Sequence, residues 1–199
     1  LLRKINPAPG GIFYDLGSGT AKAVLAARFT RDFDKCVGIE ILGGLHGQGE
    51  KVLKRFNSDF VKYLASGQSN DTFLFHGSFL DYDWTNGDVV FANSTCFDDD
   101  LMSEMSKMAS GMKPGSIFVT FTKGLSSSAF EVLERKRYKM SWGPATVFIH
   151  RKLMDDGSPV GPPSLQLLPS DEIGYDGDEP ARKPAPSAPE SPSFYRKED

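Results

Sequence analysis

Asp15, Gly17, Gly19 and Glu40 are the residues whose types and spacing could do chemistry. The first three lie in Gly11-Ile-Phe-Tyr-Asp-Leu-Gly-Ser-Gly-Thr-Ala21, an apolar run that ends in an acid and a glycine pair. Gly17 and Gly19 allow a sharp turn and a close backbone approach to a ligand, where a Cβ would collide. Glu40 closes a second apolar run, Cys36-Val-Gly-Ile-Glu40. Its carboxylate is placed to accept hydrogen bonds from two ribose hydroxyls. Together these segments describe a nucleotide-type cofactor pocket at the carboxyl edge of a parallel sheet.

The elements that must hold these residues follow from periodicity. Runs Ile12–Leu16, Lys35–Ile39, Thr72–Phe75, Asp88–Ala92 and Ile117–Phe121 read as strands. Residues Ala21–Phe29, Gly49–Leu64, Asp98–Ala109 and Ser126–Arg135 read as helices, the second with Val52, Leu53, Phe56, Phe60 and Leu64 on one face. Tyr138–Trp142 and Thr146–Arg151 read as a closing antiparallel hairpin turned at Gly143-Pro144. Strands alternating with helices predict an α/β fold with a doubly wound, mostly parallel sheet.

Two further segments end at the same sheet edge. His76-Gly-Ser-Phe-Leu-Asp81 follows the third strand, with Ser78 available to hydrogen-bond and Phe79 to stack on a ring. Asn93-Ser-Thr-Cys-Phe97 follows the fourth, where Asn93 offers a carbonyl to an incoming amine and an amide to a carboxylate. His46, His76 and His150 have no catalytic spacing, and no metal site is expected. Arg135-Lys-Arg-Tyr-Lys139 is the most basic run; it reads as a contact for nucleic acid or an acidic surface, or as a solvated strand edge.

Composition bounds the function classes. The 199 residues are 39% hydrophobic, enough for one domain with a substantial core. No apolar run approaches a membrane span, so no membrane partner is expected. Cys36 and Cys96 lack metal-ligand spacing and fit a reducing compartment. Residues 1–153 hold 19 Lys+Arg and 16 Asp+Glu, whereas residues 154–199 hold 4 and 10, together with nine of the thirteen prolines. The expected organisation is therefore a lead-in over 1–11, a catalytic domain over 12–153, and a disordered, Pro-rich acidic tail over 154–199. The chain begins without an initiator Met, and a fragment lacking an N-terminal cofactor loop is expected.

The position of a dinucleotide fingerprint's third glycine is Lys22, which argues against a pyrophosphate on the helix N-terminus. Asp15-Leu-Gly-Ser-Gly19 resembles instead motif I of the S-adenosylmethionine-dependent methyltransferases. The order of motifs over Ile12–Arg151 resembles the histone-lysine methyltransferases of the Dot (disruptor of telomeric silencing) type. The pieces that carry this are Asp15–Gly19, Val37-Gly-Ile-Glu40, Gly77-Ser-Phe-Leu80, Val90-Phe-Ala-Asn93 and Ser141-Trp142. The resemblance implies a seven-stranded, Rossmann-like methyltransferase sheet with S-adenosylmethionine as cofactor, held by Asp15, Gly17, Ser18, Gly19, Thr20, Glu40, Ser78, Phe79 and Asn93. It implies that Glu40 binds ribose, Phe79 stacks on adenine, and Asn93 lines a lysine channel. Asn93, Trp142 and Phe148 are then the catalytic candidates, with Phe97 as a further wall of that channel. The implied substrate is a lysine on the nucleosome face of a core histone, in the nucleus, with nucleic-acid contact through a basic segment outside this chain. The alternatives on the same fold are a nucleic-acid or small-molecule methyltransferase, or a degenerate domain used as a binding module. Nucleic-acid amino-methyltransferases typically place Pro-Pro-aromatic after the fourth strand's Asn/Asp, and here the sequence is Asn93-Ser-Thr-Cys.

Overall fold

Seven strands form one sheet among the described residues, which in this computed structural model are 1–65, 67–140 and 143–161. They are β1 (Ile12–Leu16), β2 (Lys35–Glu40), β3 (Thr72–His76), β4 (Val89–Ala92), β5 (Ile117–Phe121), β6 (Phe130–Met140) and β7 (Gly143–Lys152). The helices are α1 (Leu2–Ile5), α2 (Lys22–Thr30), α3 (Gly43–Arg55) and α4 (Asp99–Ala109). The strand order is β3-β2-β1-β4-β5-β7-β6, parallel except for β7, which runs antiparallel to both β5 and β6. The order reverses beside β1, so the ends of β1 and β4 flank the crevice where ligands of open α/β sheets sit.

Alternation along the strands loads both faces. Tyr14, Leu16, Val37, Ile39, Val90 and Ala92 pack with Met102, Met105 and Ala109 of α4 and with the fully buried Trp84. Phe13, Cys36 and Val89 pack on the other face with Val24 and Ala27 of α2. Each large side chain buried this way contributes about 1.5–3 kcal/mol. Arg28 is fully buried, but its guanidinium donates to Thr72 Oγ1 and to the carbonyls of Phe33 and Asp71 at 3.2, 2.5 and 2.6 Å. That ties α2 to β3 and satisfies the charge's donors. Asp98 caps α4 by accepting from Leu101 N–H at 2.8 Å, leaving Asp99 and Asp100 in the first turn where the helix dipole favours them.

Three sequence expectations change. The helix expected over Ser126–Arg135 is largely strand: β6 runs from Phe130 and pairs with β7 along its length. The hairpin is correspondingly longer than expected, and Gly143 and Pro144 already belong to β7, paired with Met140 and Lys139. The helix expected over Gly49–Leu64 begins at Gly43 and leaves α geometry at Arg55, continuing as a π turn over Phe56–Phe60 and a 3-10 turn over Val61–Tyr63. Of the expected tail, residues 154–161 are described and lie against the sheet, where Arg151 donates to the carbonyls of Val160 and Gly161, each at 3.1 Å. Residues 162–199, and with them most of the expected tail, lie outside the described residues. No helix among the described residues is long and apolar enough to cross a membrane.

Candidate active site

The site is built at the carboxyl ends of β1, β2 and β4. After Leu16 the chain turns through Gly17 and Gly19, both at positive φ (78° and 54°), into α2. The amides of Gly17 and Ser18 donate to Ile39 O at 2.9 and 3.0 Å, which seats the turn against the end of β2. A Cβ at Gly19 would meet nothing within 4 Å, so the space above this residue is open. Ala21 takes the left-handed conformation at φ 65° to start α2, a position that glycine occupies at lower cost.

Two carboxylates converge beneath the turn. Glu40, buried, accepts from Gly19 N–H through Oε2 at 2.7 Å and from Leu42 N–H through Oε1 at 2.8 Å. Its carboxylate therefore joins the glycine turn to the loop that opens α3, and each oxygen keeps a lone pair for a further donor. Asp15 is buried beside it and has no hydrogen-bond donor among the described residues. Burial, helped by the nearby charge of Glu40, pushes its pKa up to about 7. An acid so placed gains from a cationic partner, such as an ammonium group, that restores its charged form.

Sequence reasoning missed the glycines that let these pieces meet. A Cβ on Gly38 would lie 2.7 Å from both Ser18 Oγ and Leu74 Cδ2. One on Gly49 would lie 3.2 Å from Leu74 Cδ1 and 3.3 Å from the carbonyl of Gly19, so α3 passes tightly under the turn there. The signal was available in Gly43-Gly-Leu-His-Gly-Gln-Gly49, which reads as poor helix but forms α3, with close neighbours at Gly43 and Gly49.

The end of β4 borders the glycine turn. Leu16 and Ala92 are register partners, so Gly17 and Asn93 emerge next to each other. Asn93 is exposed, and its Oδ1 accepts from Thr95 Oγ1 at 2.9 Å. Ser94, also missed, is buried; it donates to Phe121 O at 2.7 Å and accepts from Phe121 N–H at 3.1 Å, locking the ends of β4 and β5 together. Lys123 then holds the following loop by donating to Phe97 O and to Asp99 Oδ1. The Phe97 ring lies 3.4 Å from where a Gly17 Cβ would stand, and it stacks on Phe79 with centroids 5.6 Å apart.

The other expected site residues are placed as follows. Ser18 is buried against Gly38, and Thr20 is half-buried at the end of the turn. Ser78 caps a 3-10 turn over Phe79–Asp81 by accepting from Leu80 N–H at 3.2 Å. Phe79 is only 7% exposed, and its carbonyl accepts from Trp84 Nε1. Phe148 sits on β7, paired through Thr120 to Ala92 and hence two strands, about 10 Å, from β4. Its ring stacks on His150 at 5.9 Å. Trp142 lies outside the described residues. His150 is buried; Nδ1–H donates to Phe118 O while Nε2 accepts from Leu125 N–H, and burial lowers its pKa. His46 and His76 stack at 5.1 Å beside the Glu40 loop.

The strand order and the glycine turn at its crossover define the Rossmann-like methyltransferase fold. An RNA methyltransferase from Salinibacter ruber, solved with S-adenosyl-L-homocysteine, superposes with a TM-score of 0.51 at 19% identity, covering 77% of this chain and 84% of that one. Magnesium protoporphyrin IX methyltransferase from Synechocystis PCC 6803, solved with bound S-adenosylmethionine, superposes with a TM-score of 0.55 at 10% identity, covering 72% and 71%. Within this fold the family is specific: the model for "Histone methylation protein DOT1" matches residues 1–141, and the chain belongs to that family. A histone-lysine N-methyltransferase, H3 lysine-79 specific, from Eremothecium gossypii is 28% identical over 129 residues, 62% of this chain and 22% of the relative. Its namesake from Candida albicans is 27% identical over 158 residues, 71% of this chain and 11% of the relative. The chain thus spans a small part of the length of these curated relatives.

Proposed function

We propose that this chain is an S-adenosylmethionine-dependent protein-lysine methyltransferase domain whose substrate is a lysine on the nucleosome face of a core histone, which would place it in the nucleus. The observation that carries the reading is the meeting of Asp15, the Gly17–Gly19 turn and Glu40 beside Asn93, in a chain of the DOT1 family. The residues fit the cofactor's chemistry. Asp15 is a buried acid without a donor, suited to the ammonium of an amino-acid moiety. The open space above Gly19 admits a ligand against the backbone, and the free lone pairs of Glu40 suit ribose hydroxyls. When bound, S-adenosylmethionine supplies a methyl group activated on a sulfonium sulfur.

The chain's own part is to bind, orient and exclude water. Asn93 Oδ1 would accept a hydrogen bond from the incoming amine and so aim its lone pair, and the Asn93 amide would be available to the cofactor carboxylate. Phe97, beside Gly17, forms one apolar wall of the amine's path, with Phe148 as a further wall. Apolar walls disfavour the ammonium form of a lysine, so the amine loses its proton before attack without a dedicated base. Ser18 and Thr20 shape the turn, while Ser78 and Phe79 would hold the adenine side. Alignment of the nucleophile with the methyl group contributes several kcal/mol, more than any other effect open to such a site. The test is transfer of radiolabelled methyl from S-adenosylmethionine to nucleosomes, free histones, DNA and RNA, with peptide mapping of any labelled protein. Label on a core-histone lysine only in nucleosomes supports the reading; label on nucleic acid alone, or none, overturns it.

A further inference from the structure

β6 is an edge strand of the sheet, and its side chains divide by charge between its two faces. Both of its acids are taken up on one face. Glu131 accepts from Arg151 Nε at 2.7 Å, and Glu134 pairs with the buried Lys4 and accepts from Tyr138 Oη at 2.6 Å. The opposite face presents Arg135, Arg137 and Lys139, all exposed, opposite Phe148, Thr146 and Pro144 of β7. The Arg135 guanidinium lies over the Phe148 ring, 5.6 Å from its centroid. Arg137 and Lys139 form no ion pair among the described residues.

We infer that this comb of Arg135, Arg137 and Lys139 binds the phosphate backbone of nucleic acid. Alternate residues of a strand stand about 6.7 Å apart, close to the separation of successive phosphates along one nucleic-acid strand. Every nucleotide carries a charge, so an unbroken cationic row meets a partner at each step, and arginine forks suit phosphate oxygens. Location adds to the argument. Phe121, the last residue of β5, pairs with Val147, so Arg137 and Lys139, opposite Thr146 and Pro144, stand beyond the carboxyl end of β5. That is the edge on which Asn93 emerges, and nucleic acid held there would run past the mouth of the site. The binding surface does not depend on methyl transfer and is measured without cofactor.

The experiment is fluorescence anisotropy of the whole chain with a duplex DNA of about 20 base pairs, a single-stranded RNA of the same length and a polyglutamate peptide, across about 50–200 mM salt. The variants are Arg135→Gln/Arg137→Gln/Lys139→Gln and, as a charge-matched control on exposed positions of another face, Lys51→Gln/Lys54→Gln/Lys62→Gln. The wild type is expected to bind a nucleic acid. The hairpin variant is expected to lose about tenfold or more in affinity at low salt, with the slope of log affinity against log salt reduced by about 2–3. The control should lose less than about threefold. Thermal melts establish that each variant is folded, and the single Arg137→Gln change should reduce the slope by just under one. Equal losses in both triple variants, tighter binding of polyglutamate than of either nucleic acid, or no nucleic-acid binding by the wild type at low salt would each overturn the inference.

Discussion

Replacing Asp15 by Asn should stabilise the free protein at alkaline pH while weakening cofactor binding, because the carboxyl is buried against Glu40 and has a pKa raised to about 7. The sign follows from linkage. In the unfolded chain Asp15 titrates near its ordinary 3.8, and in the folded chain near 7. Its raised folded value contributes stability that is full below 3.8 and lost as pH rises through about 7. Between about pH 5.5 and 7 the folded group holds a proton that the unfolded group has released, at about 1.4 kcal/mol per pH unit. Wild-type stability should therefore fall by about 2 kcal/mol between pH 5.5 and 8.5, and Asp15→Asn should lack this component. Urea denaturation followed by circular dichroism at about pH 5.5, 7 and 8.5 measures the difference. Calorimetry with S-adenosylmethionine gives the other half: an ammonium partner favours the carboxylate, so wild-type binding near pH 6 should release close to one proton. The variant should release none and bind about tenfold or more weakly, the value of a lost charged hydrogen bond. Parallel pH profiles for the two proteins, with no difference in proton release, would refute the assignment of Asp15 as a buried acid awaiting a cation.

Three further outcomes follow from the same geometry. Asn93→Ala should lower turnover more than cofactor affinity, and Glu40→Ala should do the reverse, read by steady-state rates and calorimetry; equal effects from both would undo their separate roles. Gly38→Ala pushes a methyl to 2.7 Å from Ser18 Oγ and Leu74 Cδ2, so it should cost about 1–3 kcal/mol in chemical denaturation and weaken cofactor binding by moving the turn. Ser94→Ala leaves the buried Phe121 N–H without its partner, while Phe121 O keeps Lys123 N–H as a donor. It should therefore cost about 1–3 kcal/mol in the same assay, rather than the sum expected for two broken bonds.

The parallel half of the fold was legible because its strands are short apolar runs closed by acids and glycines, and Ile12–Leu16 and Ile117–Phe121 come out with their expected bounds. The closing hairpin was expected, but the first half of β6 was not. Glu131-Val-Leu-Glu-Arg-Lys136 is rich in helix formers, and what makes it a strand is distant in sequence: Arg151 for Glu131, Lys4 for Glu134, and the β7 ladder. Tertiary pairing overrides local propensity there. The start of α3 was hidden for the opposite reason, since Gly43, Gly44, Gly47 and Gly49 disfavour a helix locally, while Gly49 is what lets the helix pass within contact of Gly19. At the site, the residue types at the sheet edge were readable, and their hydrogen bonds were not. Nothing in the spacing of Glu40 indicates that it accepts from Gly19 and Leu42, or that Phe97 lies between Gly17 and Phe79.

The most direct measurement of the central claim is a titration of the chain with S-adenosylmethionine, followed residue by residue through its backbone amide resonances. The amides of Gly17, Gly19 and Leu42 should shift together and saturably, because a ligand on the glycine turn must share the Glu40 carboxylate that Gly19 and Leu42 now occupy. The Asn93 side-chain amide should follow. Saturable shifts confined to the opposite edge of the sheet, around Lys113 and Ser116, or no saturable shift at any amide, would contradict the account.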